Sequence, residues 1–579
     1  MYAEIFPNHK LNSDEPLIYS IPAELIAQIK IGQLVEIPFR KNLIAGVISN
    51  FQKSANGVKT KPIARILSGK YFSKNNLAIA KYISQKYYTP LSKTIFSMLP
   101  DIPKNNIAFF DKIDKQLLPP KIKYYISDDL SRLNYYNKFY LDSTPTLFLF
   151  PTIDRAHYFK KYVNLNGEII SSKTKIQALY SAQKDFYENL NSKLIGTKNL
   201  LFFESHRKYR IIIDSYDHFS FESDQQPNID IEDIASVISA QNNCEIILFS
   251  SAMTQRSQSF KSIYLSKSTC KTIVKPTLNQ RQIDFLIEVY SNKPSQRTLI
   301  FNPVFNYGLL FCSDCNDFFK CKKCFSNLIY NQKAFTLECR KCQQIYAVDK
   351  CQKCSGRNYT EFGFGLEKNI ENYYSQNKNF ALASAKFVSP NIYSSNLVVG
   401  TQKIFDYFLK PFDKVIALNF DIILNSHEYD YDENAIQILA NLKNLSKKEL
   451  LVFSNYLDHE IFQIKSQNDL KKFFKNALIN RKKFQLPPFA KIINIKAINF
   501  DPFKLKNETI KIHQELMKIE KNQQFIISSF SKPEFLSKNN IWQSEAQIKI
   551  SPFGSKNIDE KLRKILYNLP SSWRMKVKI

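Results

Sequence analysis

Eight of the ten cysteines fall between positions 312 and 354 as four Cys-x-x-Cys pairs: Cys312/Cys315, Cys321/Cys324, Cys339/Cys342 and Cys351/Cys354. A Cys-x-x-Cys turn sets two thiolates on one side of a tight loop, half of a tetrahedral site, and two such turns close a four-thiolate zinc centre. Eight cysteines therefore fit two zinc ions, and four pairs can be divided between two sites in three ways. Disulfides would need an oxidising compartment, and a redox Cys-x-x-Cys would not recur four times in so short a stretch. With all four positions filled by protein, each zinc is expected to be structural, with no water to activate. Asp314, Lys320, Lys322, Lys323, Arg340, Lys341 and Lys350 lie between the pairs and read as solvated loops around a zinc ribbon, with contact to DNA or a partner protein as the alternative. Cys270 stands alone, and Cys244, ahead of the apolar run 246–249, reads as a small buried hydrophobe.

The elements that must position these groups come from a 579-residue chain, 44% hydrophobic, long enough for three to five domains. The net charge of +29 is uneven: residues 1–110 hold 14 Lys and Arg against 6 Asp and Glu, and residues 471–579 hold 23 against 8. Basic ends of this size favour a polyanion, because each cation that neutralises a phosphate releases condensed counterions. The chain begins without a basic segment leading into an apolar core, and no apolar run is long enough to span a bilayer, so the expected location is cytoplasmic with no membrane partner. The runs Leu147–Phe150, Ile211–Ile213, Ile246–Phe249, Leu397–Val399 and Val415–Leu418 read as buried strands of two α/β lobes. The cysteine array interrupts the second lobe.

The spacing of the cysteine pairs, directly after Asn302-Pro303-Val304-Phe305-Asn306-Tyr307-Gly308, resembles the cysteine-rich insertion of the PriA family of primosomal replication restart proteins. Ile18-Tyr19-Ser20-Ile21-Pro22, Gly32, Val35-Glu36-Ile37-Pro38-Phe39-Arg40, Gly46-Val47-Ile48 and Lys61-Pro62-Ile63 look like that family's DNA-end-binding domain, as does the stretch from Leu77 to Pro100 with Tyr87-Tyr88. Arg481-Lys482-Lys483-Phe484-Gln485-Leu486-Pro487-Pro488-Phe489 is similar to the segment opening its C-terminal domain. The resemblance implies capture of a free 3′ strand end by the N-terminal domain, and two helicase (RecA-like) lobes around the zinc insertion. It also implies a nested division of the ligands, with Cys312, Cys315, Cys351 and Cys354 on one zinc and Cys321, Cys324, Cys339 and Cys342 on the other. Ile18 stands where many members carry an acidic residue, for which Asp14 or Glu15 would substitute. Arg40, Lys41 and Lys61 are candidate phosphate contacts, as are Arg481, Lys482 and Lys483 in the basic C-terminal segment. Tyr19, Tyr87 and Tyr88 could stack on bases or pack in a core.

The chain departs from the family in the parts that handle ATP. A phosphate-cradling loop needs glycine so that backbone N–H groups reach the phosphates, yet residues 70–166 hold no glycine, and the segment in question reads Tyr125-Ile126-Ser127-Asp128-Asp129-Leu130-Ser131-Arg132. Leu147–Pro151 and Ile195-Gly196-Thr197-Lys198 keep the family's places, but Asp214-Ser215-Tyr216-Asp217 replaces its Asp-Glu-Glu-His, leaving Asp214 as a remnant that could still meet a metal; Ser251-Ala252-Met253 matches the next motif in part. In the second lobe Gly363-Phe364-Gly365-Leu366-Glu367 and Gly400-Thr401-Gln402 survive, whereas the arginine-finger stretch reads Asn444-Leu445-Ser446-Lys447-Lys448. ATP is therefore not an expected cofactor, and two Zn2+ are.

The sequence is read as a multidomain α/β chain: a β-rich 3′ DNA-end-binding domain over 1–105, a linker over 106–142 with the family's winged helix absent, and degenerate lobes over 143–290 and 291–470. The zinc insertion occupies 308–360 of the second lobe, and a basic α+β domain covers 471–579. The expected role is recognition of abandoned forks and single-stranded ends, with primosome proteins, the replicative helicase and single-stranded DNA-binding protein as partners, and no unwinding of its own. Two other readings stand beside it: an active ATP-dependent 3′-to-5′ DNA helicase, and a zinc-dependent nucleic-acid or protein interaction module unrelated to forks.

Overall fold

The computed structural model describes residues 1–579 apart from positions 56, 99–113, 222–225, 258–261, 266–269, 279, 292–294, 304–308, 316, 323–326, 332–334, 340–343, 352, 363–379, 385–386, 426–428, 520–524, 537–540 and 551–555. Alternating apolar residues build an antiparallel N-terminal sheet in the order Leu17–Ser20, Tyr2–Pro7, Asn42–Gln52, Gln33–Phe39, Arg65–Lys70. Ala3, Ile5, Tyr19, Val35, Ile37 and Ile48 fill its core. Gly32 closes the approach to the third strand in sequence at φ +86, where a Cβ would lie 1.8 Å from the Phe72 carbonyl oxygen. Behind the sheet, Ser73 caps the helix Lys74–Tyr87 in a reciprocal capping box with Asn76.

The first lobe is a six-stranded parallel sheet ordered Ser262–Tyr264, Lys121–Ile126, Glu245–Ser250, Arg210–Ile213, Thr146–Leu149, Lys193–Gly196. The second is also parallel, ordered Lys271–Lys275, Ser446–Phe453, Phe412–Ala417, Thr298–Phe301, Leu397–Gly400, Phe380–Ala383. Central strands covered by helices on both faces need apolar residues at every position, and Leu147, Phe148, Leu149, Ile211, Ile213, Val398 and Val399 are all at most 1% exposed. The cysteine array lies between Thr298–Phe301 and Phe380–Ala383 as a separate antiparallel sheet, Asp317–Phe318, Leu309–Cys312, Ile329–Asn331, Thr336–Glu338, Ile345–Ala347, with Tyr359–Phe362 also pairing Leu309–Cys312. A last antiparallel sheet, built on Ile541–Ile550, Lys491–Asn499 and Arg574–Lys578, carries the helix Pro502–Met517.

The boundaries differ from the sequence reading in three places. Within the expected linker, Lys121–Ile126 enters the first sheet beside Glu245–Ser250 and is followed by the helix Asp129–Leu141. Its outer half, Lys121-Ile122-Lys123, alternates like a surface segment, and only Tyr124-Tyr125-Ile126 is buried. Lys271–Lys275 pairs with Ser446–Phe453, so the chain passes to the second lobe before residue 291. The helix Gln467–Lys483 buries Leu470 and Phe474 in the second lobe's core, so residues 471–483 pack there rather than with the C-terminal sheet.

Candidate functional site

The strand Leu309–Cys312 delivers Cys312 at its end, a turn carries Cys315, and Cys351 and Cys354 lie against them. The four sulfurs lie within 4.8 Å of one another, with Cys312 Sγ 3.6 Å from Cys354 Sγ and Cys315 Sγ 3.6 Å from Cys351 Sγ. A tetrahedral zinc at its usual sulfur distance sets sulfurs about 3.8 Å apart, so this cluster could hold one such ion. The turn is held from within: Cys351 N–H donates to Gly356 O at 2.9 Å, Ser313 N–H donates to Asn358 O at 2.8 Å, and Asp314 accepts from the Asn358 side-chain amide at 2.7 Å. A Cβ at Gly356 would lie 1.9 Å from Asp314 Oδ2 and would displace that side chain from Asn358. The donor chemistry asks for a cation. Burial raises the Cys351 thiol, but the N–H groups of Cys354 and Lys353 outweigh it and bring it to about 7, whereas burial and the neighbouring sulfurs push Cys315 up to about 12. Four thiolates coexist here only around a positive ion.

The structure thus brings together the first and last pairs. Of the middle four, Cys321 and Cys339 are buried in the same small core, with Cys321 Sγ 3.1 Å from Tyr346 Oη, while Cys324 and Cys342 lie outside the described residues. Cys244 is buried and its thiol is pushed up to about 12 by that burial.

The second constellation lies where the lobes meet, at the ends of the first lobe's strands, around a cavity of about 620 Å³. Asp214 follows the strand Arg210–Ile213 and is fully buried between two buried guanidiniums. Arg155 Nε donates to its Oδ2 at 2.6 Å, while Arg132 Nη1 at 3.2 Å and Tyr136 Oη at 2.7 Å donate to Oδ1. Burial alone would raise the Asp214 carboxyl; Arg155 and Arg132 overcome it and hold the group below the usual carboxylate range. Arg132 also donates to Ser127 O and Ser251 Oγ, and Arg155 to both oxygens of Asp129 and to Phe405 O of the second lobe. The Phe408 ring lies 3.8 Å from the Arg155 guanidinium carbon. Asp214, which the sequence left free to meet a metal, has its oxygens committed to protein donors.

Between the strand Lys121–Ile126 and the helix Asp129–Leu141, the place of a phosphate loop, Asp128 accepts from Ser131 N–H at 2.9 Å and from Ser131 Oγ at 2.7 Å. The helix N-terminus that would meet an anion is capped by a carboxylate, with Asp129 in its first turn. Asp217, Asp230, Glu232 and Glu433 line the same cavity. Burial pushes Asp217 up to about 6 and Glu232 up to about 8, the latter with help from Asp230. Across the cleft Asn441 and Asn444 face inward, with Asn441 Oδ1 accepting from Ser251 Oγ at 2.6 Å, while Lys447 and Lys448 are exposed and Lys447 pairs with Asp413. Gly363–Glu367 lies outside the described residues.

The raised Glu232 carboxyl makes a prediction with a definite sign. Its folded value lies above the ordinary 4.5, so the folded state holds the proton more tightly than the unfolded chain, and stability falls as pH rises from about 4.5 through about 8, by at most about 1.4 kcal/mol per unit for one group. Glu232→Gln is therefore expected to melt higher than the parent at pH 9 and close to it at pH 5, which differential scanning calorimetry at the two pH values would measure. An equal shift at both would show that Glu232 does not stay protonated.

Among the remaining candidates, Arg40, Lys41, Lys61, Lys482 and Lys483 are exposed, Arg40 at φ 54 in the hairpin joining Gln33–Phe39 to Asn42–Gln52. Of the two readings of Tyr19, the structure has it in the core: it is 5% exposed and donates its hydroxyl to Pro38 O, so it has no free face for a base. One expectation is corrected. Arg481 is 6% exposed and paired with Asp432 and Glu433, because the inner face of its helix packs on the second lobe. Tyr87 and Tyr88 are buried, with their hydroxyls on Asp233 and Asp559, and join the N-terminal domain to the first lobe and the C-terminal domain. Asp14 accepts from Leu91 N–H and Tyr567 Oη, and Glu15 is exposed. Sequence reasoning missed Arg132 and Arg155; the (i, i+4) spacing of Arg132 and Tyr136 was the only local signal for either. Among the described residues, no helix is long and apolar enough to cross a membrane.

Comparison with known proteins shows what this chain is similar to. Residues 7–100 match the PriA family model described as the 3′ DNA-binding domain. A replication restart protein PriA from Buchnera aphidicola (subspecies Schizaphis graminum) is 25% identical over 390 residues, 57% of this chain and 51% of the relative, so that alignment spans about half of its length. Those from Rickettsia prowazekii and Borreliella burgdorferi are 22% and 21% identical over 86% and 81% of this chain and 88% and 80% of their own. Among solved structures, Saccharomyces cerevisiae Dbp5 bound to RNA and ADP BeF3 covers 62% of this chain and 90% of its own at 10% identity, with a TM-score of 0.35. The N-terminal segment is thus similar to the PriA 3′ DNA-binding domain, and most of the chain aligns with replication restart proteins PriA at 21–22% identity.

Proposed function

We propose that this chain acts in replication restart as a DNA-binding scaffold: it recognises stalled or abandoned forks and free 3′ ends, promotes primosome assembly and helps load the replicative helicase, without ATP-driven unwinding. The last clause rests on the groups that line the cavity between the lobes. Catalysis of phosphoryl transfer is largely positioning and electrostatic stabilisation of negative charge. Here Asp128 caps the helix that would bind phosphate, Asp214 is enclosed by Arg132 and Arg155, and the second lobe lines the cavity with Asn441 and Asn444. The match to a 3′ DNA-binding domain and the exposed Arg40, Lys41 and Lys61 support DNA recognition by the N-terminal domain. A pair of zinc ions would hold the ribbon that primosome partners contact. The domain order proposed with this role is that of the sequence reading, with its boundaries moved as the strand pairings require.

The test is ATP hydrolysis by purified protein with and without forked DNA, alongside fork binding at two salt concentrations. Tight, salt-sensitive fork binding with no turnover above the buffer rate is the expected result. Turnover stimulated by forks would overturn the scaffold and favour the active 3′-to-5′ helicase; equal affinity for forks and plain duplex would favour an interaction module unrelated to forks.

A further inference from the structure

The helix Gln467–Lys483 carries six basic residues and one acidic residue, Asp469, which is engaged in the capping box with Ser466. Successive helical residues turn by about 100°, so Lys471, Lys475 and Lys482, flanked by Lys472 and Lys483, share one face about 120° wide. All five are exposed, and none holds an ion pair among the described residues. The opposite face is fixed: Leu470 and Phe474 are buried in the second lobe's core, and Arg481 pairs with Asp432 and Glu433 of that lobe and donates to Gln255 of the first. One helix thus presents a lysine row on a rigid base.

From Lys471 to Lys483 the row runs about 18 Å, the axial length over which one strand of a duplex carries about five phosphates. A solvated face would need no such exclusion of carboxylates. At the end of the row Phe484 is 60% exposed, with the Lys483 ammonium 5.8 Å from its ring centroid and its carbonyl held by Lys549 Nζ at 2.6 Å. An exposed ring beside a cation, on a main chain held at its carbonyl, is a platform for an unpaired base. Resting on the fork-binding reading, we infer that this helix is a second DNA-binding surface, in which Lys471, Lys472, Lys475, Lys482 and Lys483 bind a strand's phosphates and Phe484 stacks on the first unpaired base where duplex ends.

The experiment measures anisotropy of fluorescent forked DNA with a single-stranded arm, and of blunt duplex, against full-length protein over a salt series. In the triple variant Lys471→Gln, Lys475→Gln, Lys482→Gln, the log–log salt slope is expected to fall by about 2 to 3, near 0.9 for each phosphate no longer neutralised. In Phe484→Ala, affinity for the fork is expected to drop about tenfold with duplex affinity unchanged. The replaced side chains are exposed, so unchanged circular dichroism is the control for folding. A parent that does not bind forks would sink the fork-binding reading itself. A parent that binds, with variants that keep its slope and its preference for the unpaired arm, would overturn only the role of this helix and leave the DNA to other surfaces.

Discussion

Replacing Asp214 by alanine is expected to be among the most destabilising single substitutions in the first lobe, by about 3–5 kcal/mol, because it strands two guanidiniums, Arg132 and Arg155, that are at most 2% exposed. A domain is typically stable by about 5–15 kcal/mol, so the variant should show the lobe partly unfolded in urea titrations that leave the parent intact. The sign with pH follows from the same network. The folded Asp214 carboxyl lies below its unfolded value, so its stabilisation is present above about pH 4 and is lost as pH falls through the lower folded value. Asp214→Ala should therefore lose part of the parent's acid-unfolding transition as well as overall stability. The arrangement is a buried ion network rather than a metal ligand set, which gives a second arm. The triple change Asp214→Leu, Arg132→Met, Arg155→Met should recover much of the stability, since well-packed apolar groups can replace a buried ion network with little cost. Asp214→Ala at parental stability would mean that water reaches the site and that the carboxylate is not its structural centre.

This network also marks what could not be read in the chain. Arg132, Arg155 and Asp214 belong to two helix N-terminal regions and a strand end, and no periodicity links them; only the parallel sheet, with Lys121–Ile126 and Arg210–Ile213 on either side of Glu245–Ser250, brings them together. Taken singly, Arg155 in Ile153–Tyr162 looks like a surface cation, and Arg481 looked like a phosphate ligand, because whether an arginine faces water depends on the neighbouring element and not on its own helix. Tyr19 was ambiguous for the same reason. What was legible is what local chemistry dictates. Strands buried on both faces announce themselves as unbroken apolar runs, as at Leu147–Phe150 and Ile211–Ile213, whereas Lys121–Ile126 hid because its exposed half carries lysines. The cysteine spacing was legible because few residue types make a soft tetrahedral donor set and the turn that pairs them is short.

The absence of glycine from the phosphate-loop segment likewise has a local physical meaning, and the structure supplies its counterpart. A loop with side chains at every position leaves the strand-to-helix turn to be stabilised by capping, and Asp128 does this with the carboxylate most hostile to a phosphate. Arg155 then joins the lobes through Phe405 O and the Phe408 ring, with Ser251 on Asn441 Oδ1 and Gln255 N–H on Glu433 Oε1 adding further ties. In an ATPase these surfaces separate and close with the nucleotide; here protein–protein contacts tie them together at the edge of the cavity between the lobes. If the chain acts as the proposed scaffold, such ties would favour DNA binding, because the two lobes would not first have to be ordered.

Removing the metal is expected to have the second large effect, confined to the insertion. Structural zinc sites in small modules bind with about 10–16 kcal/mol near neutral pH, and the ribbon's short strands, the longest being Leu309–Cys312 and Tyr359–Phe362, bury too little to fold without that term. With chelator, amide hydrogen exchange over 309–362 should become fast while the two parallel sheets keep their protection. Metal analysis should find two zinc ions per chain in the parent. The assignment of ligands is tested by paired substitutions: with Cys312, Cys315, Cys351 and Cys354 on one ion, Cys312→Ala with Cys351→Ala removes one zinc, whereas Cys312→Ala with Cys321→Ala removes both. Ligands grouped consecutively along the chain would give the reverse, two ions absent from the first variant and one from the second. A parent that carries no metal and is indifferent to chelator would instead mean that the four sulfurs within 4.8 Å close the ribbon as thiols.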